Sequence, residues 1–68
     1  MKLSARNQLK GTIVDVQKGA TTSHVRIDIG AGVIVTASLT NDAVAELGLQ
    51  VGAAAVAAIK ASDVMVGI

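Results

Sequence analysis

The chain has 68 residues, 51% of them hydrophobic, with no aromatic residue, no Cys, no Pro, one His and a formal net charge of +1. The absence of Cys excludes disulfides and thiolate metal sites, one His cannot anchor a metal alone, and near-neutrality provides no field suited to a polyanion. A single domain over residues 1–68 is expected, and a lone domain of that size hides only about 60% of the surface its unfolded chain exposes.

The apolar residues are Ala, Val, Ile and Leu with two Met, so each fills little volume. With neither disulfide nor metal to help, association with other chains is the remaining route to a stable fold. No apolar run reaches the roughly 18 residues of a membrane span; the longest, Val51–Ile59, is interrupted by Gly52. The segment Met1–Arg6 lacks the apolar stretch of a secretory signal. These features lead us to expect a soluble, cytoplasmic protein without a membrane partner.

In chain order, Leu9–Lys18 predicts a first strand. Leu9, Gly11 and Ile13 fall on one side of it and Val14 and Val16 on the other, and that change of face near Ile13–Val14 predicts a bulge or sharp bend. Lys18-Gly19-Ala20-Thr21-Thr22 is a turn. His24–Ile29 alternates strictly, with Val25, Ile27 and Ile29 toward the core and His24, Arg26 and Asp28 away from it. Gly30-Ala31-Gly32 is a hairpin signal. Val33–Leu39 is a third strand with Val33, Val35, Ala37 and Leu39 inward; Ile34, on the polar side, hints at a second buried surface.

Thr40-Asn41-Asp42 opens a short helix, because these side chains accept bonds from the free N–H groups of a helix start. Ala43, Val44 and Leu47 form its apolar stripe and Gly48 ends it. Ala53–Lys60 is assigned to a fourth strand although its alanines favour a helix. Gly52 in front of it and the family resemblance described below support the strand, while a helix over the same residues is the alternative. Ala61-Ser62-Asp63 makes a tight turn and Val64–Val66 a last short strand. The order β-β-β-α-β-β predicts an all-β fold with one short helix, a five-stranded OB-like Greek-key barrel.

Chemistry concentrates in Ser4-Ala5-Arg6-Asn7-Gln8-Leu9-Lys10-Gly11-Thr12-Ile13. Its start brings a hydroxyl, a guanidinium and a carboxamide together before the chain enters the first strand. With Lys60, at the end of the fourth strand, this is a donor-rich, acceptor-poor set of the kind that holds a tetrahedral oxyanion. Taken singly, Arg6 and Lys60 read more readily as solvated surface charges. Asn7 and Gln8 orient Arg6 or pair with the edge of a neighbouring chain, and a reading as exposed strand-entry residues accounts for them equally well. Asp15, Asp28 and Asp63 have no spacing of a catalytic carboxylate pair, and Met65 reads as core or interface filler.

A second candidate is the turn Lys18–His24, where consecutive N–H groups and hydroxyls around a Gly can form an anion nest. An ordinary polar hairpin turn accounts for it equally well. His24 reads as a half-exposed strand residue rather than a ligand.

Through Ser4-Ala5-Arg6-Asn7 and Lys60-Ala61-Ser62, the chain resembles the molbindins, the small Mop-type molybdate- and tungstate-binding family, over almost its whole length. The resemblance implies an oxyanion site formed by Ser4, Arg6, Thr40, Ala43, Lys60 and Ala61. Arg6 would donate two parallel bonds, and Lys60 would act as a compact charge. Ser4 and Thr40 would supply hydroxyls and Ala61 its backbone N–H, while Ala43 lines the pocket. Opposite charge and several donors are what a dianion needs when it loses its hydration.

The resemblance further implies sites shared between subunits of a homo-oligomer, a hexamer built as a trimer of dimers. Additional oxyanion sites near the three-fold axis would draw on Gly19, Ala20, Thr21, Thr22, Ser23 and His24. Molybdate or tungstate is the implied ligand, with no organic cofactor and no direct side-chain ligand to the metal. Some relatives carry Ser where this chain has Ala43 or Ala61, which lowers the hydroxyl count here. A donor-only shell favours anions fully deprotonated at neutral pH (molybdate, tungstate, sulfate) over hydrogen phosphate, whose proton needs an acceptor.

The expected function is therefore cytoplasmic binding and storage of molybdate or tungstate, with release by mass action. One alternative is an oligomerisation module without a ligand. Another is an OB-type binder of single-stranded nucleic acid, but that function uses aromatic stacking platforms on a basic groove, and this chain has neither. Enzymatic activity is not expected, since no Ser-His-Asp spacing, Cys nucleophile or phosphate-cradling loop is present.

Overall fold

The computed structural model describes residues 4–68; Met1–Leu3, part of the segment inspected for a secretory signal, lie outside the described residues. Four strands form one antiparallel sheet in the order β3-β2-β1-β4: β1 (Asn7–Lys18), β2 (Thr22–Asp28), β3 (Ile34–Thr40) and β4 (Ala54–Ile59). A helix, α1 (Asn41–Leu47), joins β3 to β4, as the β-β-β-α-β order predicts. The sheet curls so that β3 and β4, its two edges, face the same concave side without pairing. Among the described residues, no helix is long and apolar enough to cross a membrane.

β1 organises this sheet because it is bonded along both flanks. Thr12 to Lys18 pair with β2, and Asn7 to Thr12 pair with β4. The expected bulge is present: Ile13 faces Ile27, Asp15 faces Arg26, and Val14 is the extra residue between them. Its consequence differs from the simple alternation. Inserting one residue turns the strand by one side-chain step, so Val16 comes to lie opposite Val25 and packs on the core with Leu9 and Ile13. At the bulge Ile13 is held twice more, donating to the Ala53 carbonyl (2.9 Å) and accepting from the Gly52 N–H (2.8 Å).

β4 is a strand and not the alternative helix. Pairing with β1 from Asn7–Ile59 to Thr12–Ala54 overrides the helix preference of its alanines. Ala57 is buried, and Ala55 lies opposite Gly11. That spot is crowded: a Cβ on Gly11 would meet the Asp28 carbonyl oxygen and lie 2.8 Å from Ile27 Cγ2. The missing side chain lets the end of β2 cross close over β1.

α1 is closed at both ends by the residues expected. Thr40 Oγ1 accepts from the Ala43 N–H (3.1 Å). Gly48 adopts φ 64°, ψ 36°, which an L-residue rarely tolerates. Its N–H reaches the Ala45 carbonyl (3.2 Å), and the Leu49 N–H reaches Val44 (3.0 Å). Those two bonds form a Schellman motif. The reversal it imposes changes the helix's apolar stripe: Ala43 and Val44 are half-buried as expected, but Leu47 is 68% exposed. Leu49, beyond the reversal, packs on the core in its place.

The fifth strand expected over Val64–Val66 does not form, so the sheet is a four-stranded half-barrel and not a closed five-stranded barrel. After β4 the chain makes a 3-10 turn at Ala61–Asp63, which carries it off the β4 edge. A strand needs a neighbour for its N–H and C=O groups, and Val64–Val66 pair with none among the described residues. Met65 and Val66 are left 93% and 90% exposed.

Among the described residues, the fully buried apolar core consists of Ile13, Val25, Ile27 and Ala57, with nine further apolar residues packed partly against it. Gly11→Ala should therefore destabilise the protein by about 1–3 kcal/mol through overpacking. Urea denaturation at one fixed protein concentration is the check. An unchanged midpoint would show that the β1–β2 crossing relaxes freely.

Candidate functional site

The expected donor set divides into two groups at opposite ends of β1. Asn7–Ile59 is the last rung of the β1–β4 ladder. Arg6 and Lys60 are the residues just beyond that rung, one on each strand, so both cations emerge at the same end of the sheet. The rung itself is reinforced by Asn7 Nδ2, which donates to the Ile59 carbonyl (3.2 Å). Gln8 Nε2 donates back to the Ala5 carbonyl (3.2 Å), which ties down the segment carrying Arg6.

Lys60 is extended (φ −62°, ψ 139°) and starts the 3-10 turn, its carbonyl accepting from the Asp63 N–H (2.9 Å). The Ala61 N–H is the first orphan donor of that turn and has no partner among the described residues. Ser4, Arg6, Lys60 and Ala61 are all exposed. In such a position solvent screens each cation strongly.

Thr40 and Ala43 lie at the other end. Thr40 faces Thr22 across the β2–β3 ladder, and Lys18 faces Ser23 across β1–β2. Capping consumes the Ala43 N–H, so Ala43 offers a methyl wall. The cap leaves the Thr40 hydroxyl proton free to donate, because Oγ1 acts there as acceptor. A twelve-residue strand at ~3.3 Å per residue separates this end from Arg6 by on the order of 30 Å. Within one chain, the six expected residues cannot surround one oxyanion.

What joins Thr40 is the second candidate, the turn Gly19–His24. Gly19, Ala20, Thr21 and Thr22 are exposed at the β1–β2 connection, and His24 is exposed between Gln17 and Ser38. Ser23 is buried, and its hydroxyl donates to Asn41 Oδ1. Asn41, the residue after Thr40, anchors the whole turn. Its Nδ2 donates to the carbonyls of Gly19 (3.0 Å) and Ala20 (3.3 Å), and its backbone N–H to that of Thr21 (2.9 Å). Lys18, Ser23, Asn41 and Val44 border a cleft of about 350 Å³.

Asn41 is the residue the sequence reading passed over at this end; Lys18 opens the second candidate turn. An Asn just after a capping Thr signals a helix start and nothing more, and its partners are about twenty residues away. Among the described residues, no three of His, Cys, Asp and Glu gather into a metal-ligand group.

Comparisons with known proteins agree on one family. The TOBE domain family matches residues 3–66. A "probable molybdenum-pterin-binding protein" of Haemophilus influenzae is 50% identical over 68 residues, covering 100% of this chain and 99% of that one. Among solved structures, MopII from Clostridium pasteurianum superimposes with a TM-score of 0.92 at 42% identity, covering 98% of this chain and 100% of that one. The cytoplasmic molybdate-binding protein ModG, in a form with molybdate bound, gives 0.91 at 46% identity, covering 96% of this chain and 46% of that one.

The double role of the Thr40 hydroxyl can be separated by substitution. Thr40→Ala should cost about 1 kcal/mol through the lost helix cap, and Thr40→Ser should restore most of it. Urea unfolding of the two variants measures both; equal losses would show that the hydroxyl does not cap.

Proposed function

The chain belongs to the molbindin, or Mop-type, family of TOBE-domain proteins, and on that footing we propose that it binds molybdate or tungstate without catalysis, as a cytoplasmic store for the metal. The observation that carries this reading is the position of Arg6 and Lys60 on either side of the Asn7–Ile59 rung, with the Ala61 N–H, which has no partner among the described residues, beside them. A unit charge pair at ~4 Å is worth about 4 kcal/mol at an effective dielectric of ~20, and much less when exposed to water. Two neighbouring cations can offset the dehydration of a dianion only if something covers them.

A second copy of the chain is the cover we propose. Residues 1–68 then act as one domain whose Arg6–Lys60 end, with Ser4 and Ala61, meets the Thr40–Ala43 end of another copy. Each contact would unite a cationic half-site with a hydroxyl half-site. The curled sheet supports self-association independently. Its concave side is an apolar groove of about 770 Å³ bordered by β3, β4, Leu47 and Leu49. The exposed apolar residues Val64, Met65, Val66 and Ile68 lie in the same chain, so one copy carries both a groove and a segment suited to filling it. A hexamer built as a trimer of dimers is the assembly we propose, with the Gly19–His24 turn as a second class of oxyanion site.

The names of relatives mention pterin, whereas the ligand proposed here is the bare oxyanion. A chain without Phe, Tyr or Trp lacks the large rings on which a pterin would stack best. Self-association without any ligand is the competing reading, because the groove and apolar tail account for it equally well.

Titration calorimetry with molybdate, tungstate, sulfate and phosphate separates the two readings. Heat with molybdate or tungstate is expected, and silence with all four would leave only the structural module. Arg6→Ala should weaken molybdate binding by about 2–5 kcal/mol, as for loss of one partner of a buried charge. Removal of residues 64–68 should lower the native mass toward a monomer and abolish high-affinity binding with it. A truncated chain that keeps its mass would dismiss the tail from the interface.

A further inference from the structure

Asn41 does more than start a helix. The peptide unit is planar and trans, so the carbonyl of one residue and the N–H of the next point in opposite directions. Asn41 collects three successive carbonyls: those of Gly19 and Ala20 on its Nδ2, and that of Thr21 on its backbone N–H. The N–H groups of Ala20, Thr21 and Thr22 must therefore face away from Asn41. All three residues are exposed, and none of these N–H groups has a partner among the described residues.

The usual competitor for one of them is absent. A tight turn from Gly19 to Thr22 can close on itself with a bond from the Thr22 N–H to the Gly19 carbonyl. Here only the reverse bond forms, from the Gly19 N–H to the Thr22 carbonyl (2.8 Å), and the Gly19 carbonyl is taken by Asn41. The orientation of the Asn41 amide follows from its partners. Two carbonyls require the nitrogen on their side, and the buried Ser23 hydroxyl supplies a proton to the oxygen. Lys18, opposite Ser23, adds a cation at the same end.

We infer that Asn41 is a positioning residue for oxyanion binding at the 20–22 turn: it turns three carbonyls inward and so presents three consecutive N–H donors to a tetrahedral anion. Successive backbone N–H groups of a turn are donors that anion sites use. The inference rests on the proposed function for its ligand. Its geometric part, the opened Gly19–Thr22 turn, can be tested without any anion.

The test is Asn41→Asp, which keeps the acceptor for Ser23 and the backbone donor but replaces the two side-chain donations by a repelling carboxylate. Backbone amide NMR of the intact assembly is followed in anion-free buffer and during titration with molybdate. In the wild type, the Ala20, Thr21 and Thr22 amide signals should shift and saturate together. In the variant, affinity at these amides should fall at least tenfold, while the binding that remains still requires Arg6. In anion-free buffer, hydrogen exchange at Thr22 should slow in the variant, as the turn closes onto its own Gly19 carbonyl.

Ser23→Ala, which frees the Asn41 oxygen but leaves its donors, should give a smaller loss and serves if the first variant fails to fold. Unchanged affinity at the turn in Asn41→Asp overturns the inference. Wild-type amides that ignore molybdate while Arg6-dependent binding persists overturn it as well, and leave the proposed function standing. No molybdate binding anywhere removes the proposed function and the ligand of the turn together. In that event, unchanged Thr22 exchange in the variant would refute the geometric part too.

Discussion

The length of β1 and its pairing on both flanks constrain everything else in this protein. A strand bonded to β2 along one half and to β4 along the other must hold its two ends far apart. The end paired with β4 carries Arg6 and Lys60, and the end paired with β2 carries Thr40, the Gly19–His24 turn and Lys18. The separation cannot be relieved by side-chain motion, since an Arg or Lys side chain spans only a fraction of the strand's length. If one oxyanion takes donors from both ends, as proposed, the second set must come from another copy of the chain.

The same sheet explains why association would be favourable. Four strands curl far enough to shield Ile13, Val25, Ile27 and Ala57, but not far enough to bring β3 and β4 into contact. The concave face remains apolar and open, and the segment after the 3-10 turn remains apolar and unpaired. In the proposed assembly, copies of the chain would cover these surfaces, which so few large side chains leave open. In the proposed assembly, a contact that covers Arg6 and Lys60 would also remove their water, so that their charge would count for more.

Much of this architecture was legible in the residues. The strict alternation of His24–Ile29, the Thr40 cap, the Gly48 stop and the bulge near Val14 are local signals, each set by neighbours a few positions away. β4 was ambiguous, because alanine favours a helix and only pairing with β1 makes Ala54–Ile59 a strand. The bulge was visible but its effect on Val16 was not, since the side a residue faces depends on register with β2. Leu47 was misplaced for a related reason: helical periodicity continues past the point where Gly48 reverses the chain and hands its place to Leu49.

The amino-acid sequence by itself determined the chemical character of the candidate site, a set of hydrogen-bond donors and cations, because residue type alone fixes charge and hydrogen-bonding capacity. It also determined where strands and helix begin and stop, through alternation, caps and glycines. Tertiary structure alone decided that Arg6 and Lys60 share one end of the sheet while Thr40 joins the Gly19–His24 turn at the other. It decided that Val64–Val66 would find no strand to pair with, and that Asn41 would gather three carbonyls from a distant turn. Each of these outcomes depends on which segments become neighbours across the sheet, and that is set by register and curvature over the whole chain.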